Sequence, residues 1–197
     1  MNLFGYIAQL AFGLRFFVQW LHAEREQKSV TPKSFWLLSI IGNILLYIYS
    51  MHQLQFAMSL MQSQNMILSL RNLNLQGPKE KQLPFISVVA ALILSLVATY
   101  SYFSYFSFNW TLHFSSPVHL FGSIGIACFG MRFWVQWWQQ EQQKEGQLTE
   151  SFWWISLVGA IISMLYFLIL ADWANFIGPF LSIIPYSRNL YFIRRAA

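Results

Sequence analysis

The chain has 197 residues, of which 56% are hydrophobic and only 10% are charged, and its formal net charge is +5. So few charged side chains cannot coat the surface of a water-soluble globule of this length, which excludes an ordinary soluble domain. Apolar runs of about 20 residues, long enough to cross a hydrocarbon layer as helices, predict an all-α polytopic membrane protein.

The predicted helices follow one another with short polar stretches between them, and residues 139–150 are predicted to form a solvated cytoplasmic loop. The run at the N-terminus has no Lys or Arg ahead of it, so we expect a retained helix rather than a cleaved signal. Two segments, residues 55–75 and 172–192, are harder to assign because the first is rich in Gln, Ser and Asn. The clear spanning helices are residues 2–21, 35–51, 84–106, 118–138 and 152–171.

An internal repeat resolves the two ambiguous segments. Residues 3–73 superimpose on residues 120–190 without a gap, at an offset of 117, and about a third of the positions are identical. The second copy of the ambiguous segment is clearly apolar, which predicts that the first is also a spanning helix, with one polar face. The most distinctive recurring positions are Gly13, Arg15, Phe16, Gln19, Trp20, Glu24, Ser34, Phe35, Trp36, Ser39, Gly42, Tyr49, Arg71 and Asn72.

Each repeat then holds three helices, and one further helix between the copies gives both copies the same orientation. The fold prediction is therefore seven transmembrane helices, arranged as two parallel three-helix bundles joined by a linker helix. The predicted units are residues 1–76 for the first repeat, 77–117 for a cytoplasmic linker with the connecting helix, and 118–197 for the second repeat.

The positions of Lys and Arg support this topology, because cytoplasmic loops near helix ends collect positive charge. In the seven-helix arrangement all but two of these residues fall at one membrane side, which predicts an external N-terminus and a cytoplasmic C-terminus. The two exceptions, Arg15 and Arg132, lie within the first and fifth helices. The others are Arg25, Lys28, Lys33, Arg71, Lys79, Lys81, Lys144, Arg188, Arg194 and Arg195.

Arg15 and Arg132 are the strongest candidates for a binding site. A guanidinium inside a spanning helix costs roughly 2.5–3.5 kcal/mol on insertion scales, so it usually faces a cavity, a partner or a polar ligand. Every Asp or Glu except Asp172 lies in a predicted cytoplasmic loop, and we expect Asp172 to be a membrane width away. With Arg71 and Arg188, which lie at equivalent positions of the two copies, the two intramembrane arginines make a set of four without a buried acid, which predicts an anion site. Planar guanidinium groups suit phosphate. The alternative is that both side chains snorkel to lipid phosphates.

Further contacts to an anionic ligand are predicted at positions that both copies keep. Gln19 and Gln136 follow the two arginines by one helical turn and are expected to orient the ligand. Arg and Asn at the cytoplasmic end of each third helix would form an access route. A tyrosine completes the small-residue face of each second helix. The predicted site residues are Arg15, Gln19, Tyr49, Arg71, Asn72, Arg132, Gln136, Tyr166, Arg188 and Asn189.

Three motifs, each present in both copies, resemble a known family. They read Gly-x-Arg-Phe-x-x-Gln-Trp, Ser-Phe-Trp-x-x-Ser-x-x-Gly and Arg-Asn-Leu. The pattern resembles the membrane domain at the N-terminus of some lipid A disaccharide synthases, present here twice, over residues 3–75 and 120–192. That domain is similar to the PQ-loop and SWEET transporter superfamily, whose triple-helix bundles come in pairs joined by a linker helix. The resemblance implies a multi-pass protein of the bacterial inner membrane that acts in lipid A or envelope glycolipid synthesis.

Two departures limit what the resemblance implies. The Pro-Gln hinge pair of typical PQ-loop proteins is absent, since Gln19 and Gln136 each follow Val. Rocking about a hinge at that point is therefore not expected. The soluble glycosyltransferase part of lipid A disaccharide synthase is not among these 197 residues, so the family name does not imply the synthase activity for this chain.

The arginines and the resemblance together favour a facilitative transporter or flippase for an anionic lipid-linked sugar, such as a polyprenyl-phosphate sugar or a lipid A precursor. The alternative is a non-transporting membrane module that docks or feeds a separate glycosyltransferase. A SWEET-type carrier ranks third, because arginines fit a neutral sugar poorly. An enzyme ranks last, because the histidines lack the spacing of metal ligands and the sequence shows no paired carboxylates.

Expected partners are the glycolipid, membrane lipids and that glycosyltransferase, without a cofactor, metal or nucleic acid. Tryptophans expected at the interface or stacked on the sugar are Trp20, Trp36, Trp137 and Trp153.

Overall fold

A computed structural model describes residues 2–26, 32–106, 116–143 and 150–196. These residues form seven α-helices and one short 3-10 turn, Lys79–Lys81, without any strand, which confirms the all-α prediction. The predicted helix positions are all found, and most helices extend past the apolar runs that marked them. The helices are α1 (Asn2–Glu26), α2 (Lys33–His52), α3 (Phe56–Leu75), α4 (Phe85–Tyr105), α5 (Pro117–Gln143), α6 (Glu150–Ile169) and α7 (Trp173–Ala196).

Four of the described segments are long and apolar enough to cross a membrane: α2, residues 79–105 with α4, α5, and α6. These helices indicate a membrane protein. Helix α1 carries a shorter apolar stretch, Leu3–Gln19. Helix α3 has low hydropathy because it carries many polar side chains. Most of them are buried against α2, α4 and α5 rather than exposed. The count of seven spans and the orientation in the membrane stay predictions, and Lys28 and Lys144 lie outside the described residues.

Helix packing follows the duplication. Within the first repeat α1 packs on α2 and α2 on α3, and in the second α5 packs on α6 and α6 on α7. Between the repeats α3 contacts α5, and α1 contacts α7. The 117-residue offset converts the first of these contacts into the second, so the two repeats face each other across a pseudo-twofold axis. Helix α4 packs against α3.

The turn that ends the second helix of each repeat has the same backbone in both copies. Leu54 and Ala171, 117 residues apart, both have φ of 51°, the left-handed conformation that usually terminates a helix at glycine. In each copy the following amide reaches back five residues, from Gln55 to the Ser50 carbonyl and from Asp172 to the Phe167 carbonyl. The duplication is therefore visible in the backbone as well as in the sequence.

One loop assignment from the sequence is wrong. Residues 139–150 were expected to form a solvated cytoplasmic loop, but α5 continues to Gln143 and α6 begins at Glu150, with residues 144–149 outside the described part. The extension places Glu141 on a helix, one turn after Trp137, whose indole Nε1 donates to its carboxylate at 3.0 Å. This acid therefore faces the helical bundle.

Candidate functional site

A cavity of about 60 Å³ lies between the two repeats and is lined by α1, α2 and α3 of the first and by α5, α6 and α7 of the second. Of its 21 lining residues, 18 form nine pairs separated by the 117-residue offset. Examples are Phe12 with Phe129 and Arg15 with Arg132. A cavity lined by equivalent positions of both copies lies on the pseudo-twofold axis, where parallel-repeat membrane proteins commonly bind ligands.

Arg15 is buried in the wall of this cavity, with 3% of its surface exposed. Its Nη1 donates to Ser39 Oγ at 3.1 Å, and that hydroxyl in turn donates to the Phe35 carbonyl at 2.7 Å. Its guanidinium carbon also lies 4.7 Å from the ring centroids of Phe12 and Phe16, within cation–π range. The Nε–H finds no acceptor among the described residues. Arg15 therefore keeps donor capacity for a ligand.

Arg132 has the equivalent place in the second repeat and is 7% exposed. Its Nη1 donates to the Tyr186 hydroxyl, and its guanidinium carbon lies 4.5 Å from the Phe129 ring centroid. Its Nε–H also lacks an acceptor in the described part of the chain. The two repeats differ at this hydrogen-bond partner, because Ser69 is the counterpart of Tyr186 in the first copy.

The two guanidinium groups share one aromatic ring. The Phe133 centroid lies 5.7 Å from the guanidinium carbon of Arg15 and 5.0 Å from that of Arg132. The two carbons therefore cannot be farther apart than about 11 Å, the total of those distances. The structure thus brings together the two arginines that the sequence singled out. Their burial argues against the snorkelling alternative, in which both side chains would extend along the helix surface to the lipid head groups.

The cavity wall as described contains no Asp or Glu. Asp172 lies beside the end of α2, where its Oδ1 accepts from the Tyr49 hydroxyl at 3.1 Å, whereas Arg15 bonds Ser39 on the same helix. Ten residues of α2 separate Ser39 from Tyr49, which corresponds to about 15 Å. Asp172 is thus half a membrane thickness from the arginine layer, nearer than the membrane width expected from the sequence, but not a counter-ion.

Asp172 belongs to a hydrogen-bonded group that joins the repeats at one end of the cavity. We call Tyr49, Gln55, Asp172 and Asn175 the Asp172 cluster. Gln55 Nε2 and Asn175 Nδ2 donate to Asp172 Oδ2 at 2.7 and 2.9 Å. Tyr49 therefore binds a protein carboxylate rather than facing the cavity. Its counterpart Tyr166 hydrogen-bonds His119 Nδ1 at 3.0 Å and also does not line the cavity.

Arg71 lies toward the end of the cavity opposite the Asp172 cluster, and here an expectation from the sequence is wrong. The sequence predicted no carboxylate partner, but Arg71 Nε donates to Glu141 Oε1 at 2.7 Å. Its Nη1 also donates to the Leu83 carbonyl at 2.6 Å and to Asn74 Oδ1 at 3.2 Å. We call Arg71, Asn74, Leu83, Glu141 and Trp137 the Arg71 cluster. The cluster neutralises Arg71 and ties α3 to α5, since Glu141 lies on a helix rather than in the predicted loop.

The remaining predicted site residues do not line the cavity. Gln19 and Gln136 are buried, 8% and 1% exposed, one turn beyond the arginines toward the Arg71 cluster. Asn72 is buried beside Arg71. Arg188 is exposed, and Asn189 Nδ2 donates to the Pro185 carbonyl at 2.7 Å. An access route formed by these residues stays a prediction.

Three of the four tryptophans expected at the interface or stacked on the sugar do not line the cavity. Trp36, Trp137 and Trp153 are between 0% and 4% exposed and pack in the hydrophobic core, outside the cavity wall. The side chain of Trp20 lies outside the described part of the structure, as do His113 and the side chain of Glu24.

Sequence reasoning missed several polar lining residues, among them Gln9, Asn43 and Asn65. The comparison of the two copies drew attention to shared positions, whereas two of these residues have apolar counterparts, Ile126 and Ala160. A detectable signal was present, because a single amide within an apolar helical run is costly unless it faces a partner or a cavity.

Comparison with known proteins identifies the repeat. The sequence profile of the Lipid A Biosynthesis N-terminal domain matches twice, at residues 4–74 and 121–191. The chain is 33% identical to the lipid-A-disaccharide synthase of Chlamydia felis and 32% identical to that of Chlamydia muridarum. These alignments cover 96% and 98% of this chain, and 32% and 34% of the synthases. No solved structure matches the chain.

Because the alignments extend over nearly the whole chain, both repeats are shared with these synthases. The chain spans about a third of the length of the relatives it matches. The two profile matches together cover well over half of the 197 residues. The chain therefore belongs to the Lipid A Biosynthesis N-terminal domain family, with two copies of the domain in tandem.

Proposed function

We propose that the chain is a facilitative transporter or flippase for an anionic, phosphate-bearing lipid-linked sugar of lipid A or envelope glycolipid synthesis. The observation that carries the proposal is the pair of buried guanidinium groups, Arg15 and Arg132, at one axial cavity whose described wall holds no carboxylate. The family assignment supplies the biosynthetic setting.

The energetics favour an anionic ligand. Each guanidinium within a membrane helix costs roughly 2.5–3.5 kcal/mol on insertion scales, and two of the same sign near one ring also repel each other. The hydroxyl and aromatic contacts of Arg15 and Arg132 offset part of this cost but carry no negative charge. A phosphate would supply the charge and accept from both free Nε–H groups, in the geometry for which guanidinium is suited.

The topology supports movement of one repeat against the other. In the proposal all seven helices cross the inner membrane, the repeats form parallel three-helix bundles joined by α4, and the N-terminus is external. Parallel repeats of this type commonly give alternating access to a site at their interface. The two hydrogen-bonded clusters are then the closures of the cavity, and the Arg71 cluster takes the place of an open cytoplasmic access route. At about 60 Å³ the cavity holds only a few water-sized groups, so a sugar requires one closure to separate.

The second candidate function is a non-transporting module that presents a lipid substrate to a glycosyltransferase. The observation in its favour is that relatives named lipid-A-disaccharide synthase contain both repeats within a chain about three times as long. Both candidates need the anion site, and only transport needs the two closures to open alternately.

Two measurements test the proposal. The protein would first be purified with its native lipids, which mass spectrometry identifies. It would then be placed in vesicles of phosphatidylethanolamine and phosphatidylglycerol, and the uptake of a water-soluble short-prenyl phosphoryl-glucose would be followed. We expect protein-dependent uptake that is lost in Arg15→Gln and Arg132→Gln and kept in Arg194→Ala, a matched control whose arginine is 64% exposed.

The outcomes separate the candidates. Copurification of a phosphate-bearing glycolipid without uptake would support the presenting module and contradict transport. Copurification of bulk phospholipid alone, with no uptake, would contradict both. A thermal unfolding curve in detergent would show whether each arginine variant remains folded, and Arg→Lys variants at the same positions keep the charge if the Gln variants unfold.

A further inference from the structure

The cavity is symmetric in its arginines but not in the rest of its polar wall. Four amide side chains line it from the first repeat, and we call them the amide wall. Their counterparts in the second repeat include the apolar Ile126, Ala160 and Pro179. The second repeat lines the cavity with Phe167 as well, and its polar lining residues besides Arg132 are Ser163, Asn175, Ser182 and Tyr186, so that Asn175 is its one amide among the described residues. The amide wall consists of Gln9, Asn43, Gln62 and Asn65.

Each member of the amide wall is at least nine-tenths buried, with exposed fractions of 9%, 1%, 2% and 3% in chain order. Each also has one amide atom without a hydrogen-bond partner among the described residues: Gln9 Oε1, Asn43 Nδ2, Gln62 Oε1 and Asn65 Oδ1. A buried polar atom left unpaired is costly, and four such atoms at one cavity point to a ligand that both donates and accepts hydrogen bonds.

One member of the amide wall, Gln9, lies away from the arginines along the axis. Gln9 precedes Arg15 by six residues on α1, which corresponds to about 9 Å toward the Asp172 cluster. Gly178 lets Gln9 approach α7 closely, since an added Cβ at that glycine would overlap the Gln9 carboxamide. A ligand with its phosphate between the arginines would therefore place the next part of its head group against the amides.

Resting on the proposed function, we propose that the amide wall recognises the hydroxyl groups of the sugar, and so selects a phosphate-linked sugar over a bare lipid phosphate. The hydroxyls face the first repeat, where amides both donate and accept. The less polar side of the sugar ring faces Ile126, Phe167 and Pro179 of the second repeat. A site built to hydrogen-bond hydroxyl groups discriminates strongly against an analogue without them, because its own polar groups then stay unpaired.

The test compares two probes on the detergent-solubilised chain: farnesyl methyl phosphate and farnesyl-phosphoryl-glucose. Both are phosphodiesters with one negative charge, and the first has a methyl group in place of the sugar. Tryptophan fluorescence or a thermal shift would report the affinity for each. The variants Gln62→Met and Asn65→Leu remove the amides with little change in volume. Gln140→Met is the matched control, since Gln140 is also a buried amide, 8% exposed, but does not line the cavity.

We expect the wild type to bind the sugar-bearing probe at least about tenfold more tightly, from a few hydrogen bonds in a site that excludes water. Gln62→Met and Asn65→Leu should each reduce that preference by about fivefold and leave the affinity for farnesyl methyl phosphate within about twofold. Gln140→Met should leave the preference unchanged. Arg132→Gln should weaken both probes together.

Two results would overturn the inference: a wild type that binds both probes equally, or amide variants that keep the wild-type preference. Amide variants that weaken both probes by the same factor would also contradict it, because they would place the amides around the phosphate. If Arg132→Gln changes neither affinity, the proposed anion site itself fails. The two failures are therefore distinguishable.

Discussion

The substitution Arg71→Ala tests whether the Arg71 cluster holds the two repeats together. Arg71 is 6% exposed and Glu141 21% exposed, and the change removes the ion pair at 2.7 Å. It also removes the hydrogen bonds to the Leu83 carbonyl and Asn74 Oδ1. Glu141 is left with only the Trp137 indole as a described donor. Removing one partner of a buried ion pair costs about 3–5 kcal/mol, because the other charge stays buried without compensation.

Partial exposure lowers that figure, since water can reach about a fifth of Glu141. We therefore expect Arg71→Ala to reduce the free energy of unfolding by about 2–4 kcal/mol. Glu141→Gln should cost less, about 1–2 kcal/mol, because the Gln carbonyl still accepts from both Arg71 and Trp137. The double variant should be less destabilised than the two single costs predict together, with a coupling of at least about 1 kcal/mol.

The assay is unfolding of the detergent-solubilised protein by added denaturant, followed by tryptophan fluorescence, for the wild type and the three variants. Arg194→Ala is the control, because that arginine also pairs with an acid, Glu150, but is 64% exposed. We expect a change within about 0.5 kcal/mol for the control. Equal effects of Arg71→Ala and Arg194→Ala, or strictly additive effects of the two cluster substitutions, would refute the assigned role.

Two further predictions concern backbone packing. Gly122→Ala should lower the free energy of unfolding by about 1–3 kcal/mol, because its Cβ would overlap the Tyr166 ring, whereas Gly13→Ala meets nothing within 4 Å and should be neutral or stabilising. A Gly122→Ala protein as stable as the wild type would contradict the close approach of α5 and α6. Ala171→Gly should raise the free energy of unfolding by up to about 1 kcal/mol, because Ala171 has a left-handed φ of 51°. Ala127→Gly, in the middle of α5, should lower it, and stabilisation by both changes would show that the φ value is not the cause.

The sequence predicts the helix order and the arginine pair because both depend on strong local signals. Apolar length marks the helices, and an arginine in an apolar helix must face something other than lipid. The pairing of Arg71 with Glu141 was not predictable in the same way. It depends on α5 continuing beyond its apolar run, and composition alone assigned that polar stretch to a loop. Helix ends set by side-chain contacts, such as Trp137 with Glu141, carry no periodic signal.

Comparing the repeats had a similar limit. The 117-residue offset identifies what both copies need, which includes Arg15 and Arg132 and the shape of the turns at Leu54 and Ala171. It is uninformative about residues that only one copy needs. Asn43 is such a residue, since its counterpart Ala160 packs in a hydrophobic core. Only the helix packing shows that Asn43 lines the cavity.

A fused pair of repeats can carry different residues at equivalent positions of its two halves, whereas a symmetric dimer of one repeat cannot. At a twofold axis a residue meets its own copy, so a single repeat with Asp at the position of Gln55 would place two carboxylates against each other. In the fused chain Gln55 and Asp172, which are equivalent by the offset, form a hydrogen bond of 2.7 Å instead. The same freedom gives Arg132 a tyrosine partner where Arg15 has a serine. A phosphate-linked sugar has no twofold symmetry. A cavity whose two sides differ, with the amide wall on one and Ile126, Phe167 and Pro179 on the other, suits such a ligand better than a symmetric cavity does.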